Sequence, residues 1–301
     1  MNVSVLTSSE FRIRLRKTGV HLQIGSFVAH LQTSISSVAD SVKLLYADYP
    51  LVEQSEFADF HVNLALPRNL RRWFKPQVLF LFDGYSPFKP LPLAQAFPML
   101  EWGLNWCVSK HANRYLIIHA AVVEKGGWAV IMPAPPGSGK STLCAALISR
   151  GWRLLSDELV LIRVGDGEIV PFPRPVSLKN ESIDIIRHYE PGAIFSRKVV
   201  DTVKGAVAHM KVPADSIFRA TEVVQKTRVI FPKYQTGATA SLEVVPRSRA
   251  FMRVADNSFN YSLLGLDGFR TMANLIDASQ CYDFTYSKLD DAIKIFDTLE
   301  H

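Results

Sequence analysis

Cysteine is scarce: Cys107, Cys144 and Cys281 are the only three in 301 residues. They are too few and too scattered for a disulfide framework or a thiolate metal site, and Cys144 lies inside an apolar helical stretch, so a reducing compartment is expected. Long apolar runs are missing as well. Residues 128–132 and 78–82 are far shorter than the roughly 20 residues that cross a bilayer. The first residues hold no apolar block between a charged start and a small-residue cleavage site, so no signal peptide is expected and the protein should be soluble and cytoplasmic. Glycine and proline number only 16 and 17, which excludes a collagen-like or low-complexity chain. Neither charge sign dominates, since the net charge is +6 with 21% charged residues; that mild excess suits acidic partners such as nucleotides without choosing among them. What is present is 48% apolar residues, enough for a substantial core in one or two domains.

The chain reads as two parts. Residues 1–95 form a β-rich N-terminal portion, because residues 11–15 and 60–66 alternate apolar and polar side chains as half-buried strands do, and residues 76–84 resemble a more buried strand ended by a turn. Prolines at 87, 90, 92 and 98 make a hinge or covering loop, followed by helical spacing over 99–109. Residues 96–301 read as a mixed α/β catalytic domain. It begins with strands at 115–123 and 128–132, a helix over 141–149 and strands at 153–155 and 159–164. Gly165-Asp-Gly167 is a strong hairpin signal. Helices over 181–188, 268–278 and 289–299 and strands at 227–231, 241–245 and 282–286 complete the reading.

Between the strand at 128–132 and the helix at 141–149 lies Ala134-Pro-Pro-Gly-Ser-Gly-Lys-Ser141, the phosphate-loop pattern in all but its first position, where Ala134 stands for glycine. Gly137 and Gly139 let consecutive backbone N–H groups converge on a phosphate without side-chain obstruction. Lys140 is placed to neutralise the outer phosphate oxygens, and Ser141 can ligate Mg²⁺ at the positive end of the helix. Pro136, Gly137, Ser138, Gly139, Lys140, Ser141 and Thr142 are therefore the candidate nucleotide-binding residues. A glycine-rich turn ending a buried strand is the plainer reading, and the Lys-Ser-Thr at the helix start argues against it.

Asp157 stands sixteen residues after Ser141, in Leu154-Leu-Ser-Asp-Glu158, a short apolar strand that ends in paired carboxylates. Mg²⁺ takes oxygen ligands beside phosphates, and one further strand is the distance at which such a ligand is expected. One of Asp157 and Glu158 can hold the metal while the other addresses a substrate hydroxyl; a solvated Asp-Glu pair is the alternative. His119, on the strand before the loop, can reach the same phosphates or serve as a satisfied core side chain.

These residues carry a family likeness. The segment from His119-Ala-Ala-Val-Val123 through the glycine loop to Leu154-Leu-Ser-Asp-Glu158 resembles the catalytic core of HPr kinase/phosphorylase, and looks closest to the HPr-kinase-related kinase A group. The likeness extends to residues 100–106, 171–179, 208–216 and 229–234. It implies a phosphate-loop fold in a mixed sheet, like the HPr kinase C-terminal domain and phosphoenolpyruvate carboxykinase. By position it implies His119 as an active-site histidine, Lys140 and Ser141 as phosphate and Mg²⁺ residues, Asp157 as general base and Glu158 as the neighbouring carboxylate. The family's arginine-glycine-leucine-glycine signature has no counterpart, since residues 171–179 stand in its place, which argues against HPr itself as acceptor.

Arg174, Lys179, Lys211 and Arg228 are candidate clamps for a transferred phosphoryl group, or solvated charges. Arg68, Arg71, Arg72 and Lys75 around Trp73 read as a solvated face or docking edge rather than a nucleic-acid patch. The expected function is an ATP- and Mg²⁺-dependent kinase acting on a hydroxyl of a peptide, protein or small molecule, with no nucleic-acid or membrane partner and self-association left open. A nucleotide-binding regulatory or assembly module is the rival from another class.

Overall fold

In the computed structural model the structure describes residues 1–53, 57–69, 74–135, 137–224 and 226–300. The contacts divide it into two compact units, each discontinuous in sequence. The first comprises Met1–Val108, Ser177–Ile183 and Ile194–Lys211, and the second Ser109–Val176, Asp184–Ala193 and Val212–His301.

The first unit opens with helix α1 (Ser8–Lys17), started by a capping box in which the Thr7 side chain accepts from the Glu10 backbone and the Glu10 carboxylate from the Thr7 backbone. The alternation at residues 11–15 therefore marks a helix, not the expected strand. Phe11 and Leu15, four apart, share the fully buried face while Ile13 between them is 54% exposed, a pattern that fits a period of 3.6 and not of 2. Strands β1 (Val20–Ile24), β2 (Phe27–Thr33), β3 (Leu51–Val52), β4 (Phe60–Ala65), β5 (Gln77–Phe82) and β6 (Leu91–Pro92) form a sheet in the order β3-β1-β2-β4-β5-β6. Helix α2 (Ser36–Leu45) connects β2 to β3 and buries Val38, Val42 and Leu45. Helix α3 (Ala96–His111) lies against this sheet through Gly103, where an added Cβ would fall 2.0 Å from the Phe80 ring, and through Trp106, packed edge-on to Phe82. That packing places residues up to Val108 with the first unit.

The second unit is a mixed α/β fold. Residues 115–123, expected as one strand, form two: β7 (Tyr115–Ile118) and β8 (Ala120–Lys125), broken at His119. They part because they serve different sheets. β8 is followed by β9 (Trp128–Pro133), helix α4 (Lys140–Ile148), β10 (Arg153–Ser156), β11 (Val160–Arg163) and β12 (Ile169–Val170). β7 pairs with β11 in a three-stranded sheet, whereas β8 pairs antiparallel with both β9 and β10. The Gly165-Asp-Gly167 turn does join the antiparallel pair β11 and β12.

The chain next gives β13 (Val176–Lys179), helix α5 (Glu181–Tyr189), β14 (Val199–Thr202) and β15 (Gly205–Met210), with the three strands in a small sheet, and then helix α6 (Ala214–Phe218). It returns to the second unit's main sheet with β16 (Lys226–Tyr234), β17 (Ser241–Val244) and β18 (Gln280–Tyr286), separated by helices α7 (Arg247–Asp256) and α8 (Tyr261–Asp277) and closed by α9 (Leu289–Asp297). The main sheet runs β10-β8-β9-β16-β18-β17, with β16 parallel to β9 and β18 and the other pairings antiparallel. Val122, Ile131, Leu155, Val229 and Phe231 build its buried core together with Leu116 and Ile118 of β7. Burying several such side chains, each contributing about 1.5–3 kcal/mol, makes this sheet a rigid platform for its loops. Among the described residues no helix is long and apolar enough to cross a membrane.

Candidate functional site

The register of the main sheet gathers the candidate residues at one of its ends. Ala120 of β8 pairs with Pro133 of β9, so His119 lies beside Ala134, where the glycine loop leaves the sheet. Ser156 of β10 pairs with Val122, which brings Asp157 and Glu158 to the same end. The parallel strand β16 leads Tyr234 there from the other side, and Tyr286 of β18 is its register partner. A strand-to-helix loop at the end of a sheet is where backbone N–H groups stand free to meet a ligand.

The glycine loop is shaped by its own residues. Gly137 and Gly139 have φ of +86° and +88°, values that cost other residues strain, and a Cβ on Gly137 would point into open space. Ser138 donates its N–H to the Pro135 carbonyl at 3.3 Å, closing a tight turn. Helix α4 then starts at Lys140 with no side chain capping it, so its first N–H groups face the loop. Left-handed glycines before an uncapped helix start are the backbone arrangement from which an anion-binding nest can be built. The Ser138 hydroxyl is buried and has no hydrogen-bond partner among the described residues. Lys140 is 7% exposed, Ser141 and Thr142 are half-buried on the first turn, and Pro136 lies outside the described residues.

Asp157 and Glu158 sit in a turn just past β10. The Ser156 hydroxyl donates to the Leu159 carbonyl at 2.6 Å and accepts from the Leu159 N–H at 3.3 Å, clamping the two carboxylates between them. Asp157 is 5% exposed and Glu158 half-buried. Lys140 and Asp157 both act electrostatically on the buried Cys144 of α4. Burial pushes the Cys144 thiol well up; Asp157 adds to the shift and Lys140 opposes it. At the far end of β10 the buried Arg153 pairs with Glu124 of β8 at 2.6 Å, fixing the strand that carries the turn.

His119 is half-buried, and its position is set by its surroundings rather than by a strand. Its N–H donates to the Asn257 carbonyl at 2.7 Å and its ring lies 5.8 Å from that of Phe259. The segment 257–260 is held on β7 by buried Asn260, whose side chain accepts from the Ile117 N–H and donates to the Tyr115 carbonyl.

Two aromatic residues that the sequence reading passed over brace the loop. The Tyr286 hydroxyl donates to the Gly139 carbonyl at 3.1 Å, and the Tyr234 N–H donates to the Ser138 carbonyl at 3.0 Å. Burial, with the neighbouring Tyr234 second, raises the Tyr286 phenol well above its ordinary value, so it stays a donor. Tyr286 ends the strand expected at 282–286, whereas Tyr234 lies three residues past the one expected at 227–231.

The other cations are placed differently. Arg228 stacks over Trp128 at 3.7 Å near the opposite end of β9, its register partner being Val130, so it lies away from the glycine loop. Lys211 forms an ion pair with Asp48 at 2.8 Å and, like Lys179, belongs to the first unit. Arg174 is buried with its guanidinium 5.0 Å from the Phe172 ring, and the Phe172 N–H donates to Leu155 of β10. Arg71, Arg72 and Trp73 lie outside the described residues. Among the described residues no three His, Cys, Asp or Glu side chains already converge as a cation site. Ser141 and Glu158 carry oxygen donors of the kind Mg²⁺ takes beside phosphate oxygens and water.

No family model matches the chain. In sequence it is similar to HPr kinase/phosphorylase of Lactobacillus delbrueckii subsp. bulgaricus, 25% identical over 161 residues that make up 51% of this chain and 50% of that protein. The chain thus spans about half the length of the curated relative it matches. The expected likeness to HPr kinase/phosphorylase is found over that half, as a similarity. A comparison of structures also pairs it with the Hpr(Ser) kinase/phosphatase from Coxiella burnetii, at 12% identity and a TM-score of 0.26, over 61% of this chain and 97% of that one.

Proposed function

We propose that this HPr-kinase-like chain is a cytoplasmic, ATP- and Mg²⁺-dependent phosphotransferase that passes the γ-phosphate to a hydroxyl of a peptide, protein or small polyol-like acceptor. The observation that carries the reading is the strand register, which brings the buried carboxylate of Asp157 to the sheet end where β9 runs into the glycine loop and its buried Lys140. A module that only binds nucleotide has no need of a base beside its phosphate loop.

In this reading residues 134–141 are a P-loop set in a mixed sheet. Backbone N–H groups at Gly137 to Ser141 hold the β- and γ-phosphates, with the Ser138 hydroxyl as a further donor, and Lys140 offsets the charge that builds on them. Ser141 and Glu158 would hold Mg²⁺, which would supply neutralisation of the phosphate charge. Asp157 accepts the proton of the acceptor hydroxyl as its oxygen bonds to the γ-phosphorus and the bond to the β–γ bridging oxygen breaks, releasing ADP. His119 positions the transferred group from the adjoining strand. The Ser156 turn keeps Asp157 in place, so its carboxylate need not be ordered at the moment of reaction. Radiolabelled γ-phosphate transfer to panels of peptides, sugars and polyols tests the assignment: labelling of at least one acceptor class is expected, and ATP binding without any transfer would overturn it.

A further inference from the structure

Away from the glycine loop, the first unit presents three histidines side by side on one face of its sheet. His21 of β1 is the register partner of His30 of β2, and His30 that of His61 of β4. Their rings follow one another at 4.8 and 5.3 Å between centroids. The side chains on this face are half-buried or exposed, while those at alternate positions, Ala29, Leu31 and Val62, fill the core. Nothing in the proposed transfer reaction uses these histidines.

The central ring is locked. His30 Nε2 lies 2.8 Å from the Thr18 carbonyl oxygen, which can only accept, so Nε2 carries the proton and Nδ1 of the neutral ring holds a lone pair. The ring lies against Gly19, where a Cβ would fall 2.2 Å from Nε2 and where φ is +77°; only glycine leaves this space. A ring N–H fixed by a backbone carbonyl with the opposite nitrogen presented outward is how metal-binding histidines are oriented. His30 Nδ1 and His61 Nδ1 are hydrogen-bonded at 3.4 Å, His61 donating to the His30 lone pair a proton that a bound cation would displace. Two nitrogens bound at about 2.0–2.1 Å in a tetrahedral Zn²⁺ shell stand about 3.3–3.4 Å apart, so the pair is already spaced as one edge of that tetrahedron.

We infer that His30 and His61 form a two-histidine clip for a borderline divalent cation of the Zn²⁺ type. Water reaches it from the side of exposed His61, and His21, one strand over, is the nearest further imidazole. Imidazole nitrogens favour such a cation over Mg²⁺, which separates this site from the oxygen donors beside the glycine loop. Occupied, the clip would tie β2 to β4, two strands whose parallel pairing no short hairpin enforces.

The test is calorimetric titration of the 301-residue chain with ZnCl₂ in excess Mg²⁺, alongside His61→Ala, His30→Gln and, as a control, His188→Ala at an exposed position of α5. The expected result is saturable binding of one Zn²⁺ by the wild type and the control, weakened about 10-fold or more in each clip variant. Zn²⁺ should also raise the melting temperature of the wild type more than that of His61→Ala, and the metal-free melting temperatures report whether each variant folds. No saturable binding up to about 1 mM, or undiminished binding in His61→Ala and His30→Gln alike, overturns the proposal.

Discussion

Tyr286 holds the hinge of the glycine loop: its hydroxyl donates to the carbonyl of Gly139, the residue from which the helix springs, at 3.1 Å. The ring approaches so closely that a Cβ on Gly139 would meet the hydroxyl at 2.6 Å and the Tyr234 Cβ at 3.1 Å. Gly139→Ala therefore combines a steric conflict with a left-handed backbone that disfavours a side chain, at a cost of about 1–3 kcal/mol. Chemical denaturation should show that loss, and calorimetry with a non-hydrolysable ATP analogue should show weaker binding. Tyr286→Phe removes one hydrogen bond, worth about 0.5–1.5 kcal/mol, and should have the smaller effect on both. An alanine at 139 with wild-type stability and affinity would mean that the loop is not braced as described.

Lys140→Ala removes a buried charge-assisted contact to phosphate worth about 1.5–3 kcal/mol, so analogue affinity should fall by about 10- to 150-fold. The same titration with both proteins measures it. Equal affinities would remove the nucleotide assignment at its root.

Glu158→Gln keeps the shape of the side chain but replaces a charged oxygen with a neutral one. The Mg²⁺ concentration needed for half-maximal turnover should rise, while affinity for metal-free nucleotide stays near that of the wild type. Activity in excess chelator equal to that in Mg²⁺ would show the metal role to be wrong.

His119→Ala should reduce transfer less than loss of the base does, because a positioning group contributes through geometry while Asp157 takes the proton. Parallel rate measurements on the two variants rank them; a larger loss at His119 would reverse their assigned parts.

The fold is most legible in the sequence where a pattern is local. Strand β9, the loop and helix α4 are contiguous, and the residue types from Gly137 to Ser141 dictate the turn, so the element boundaries agree closely. Residues 11–15 misled because apolar residues at 11, 13 and 15 satisfy a period of 2, while burial of only Phe11 and Leu15 is decided by the capping box at Thr7 and Glu10. The break at His119 was invisible for another reason: β7 and β8 are both apolar, and only their pairing with β11 on one hand and β9 and β10 on the other separates them. Tyr234 and Tyr286 reach the loop through the order β9-β16-β18, a tertiary relation that no spacing in the sequence records.

The measurement that bears most directly on the central claim is γ-phosphate transfer by wild type and Asp157→Asn, run in parallel with analogue binding. The amide cannot accept the hydroxyl proton but leaves the glycine nest and Lys140 in place. Transfer should fall by about 10²–10⁴ while nucleotide affinity changes by no more than a few fold. Unchanged transfer in Asp157→Asn would contradict Asp157 as base; absence of any labelled acceptor with the wild type, together with a nucleotide-dependent change in assembly, would contradict the kinase itself.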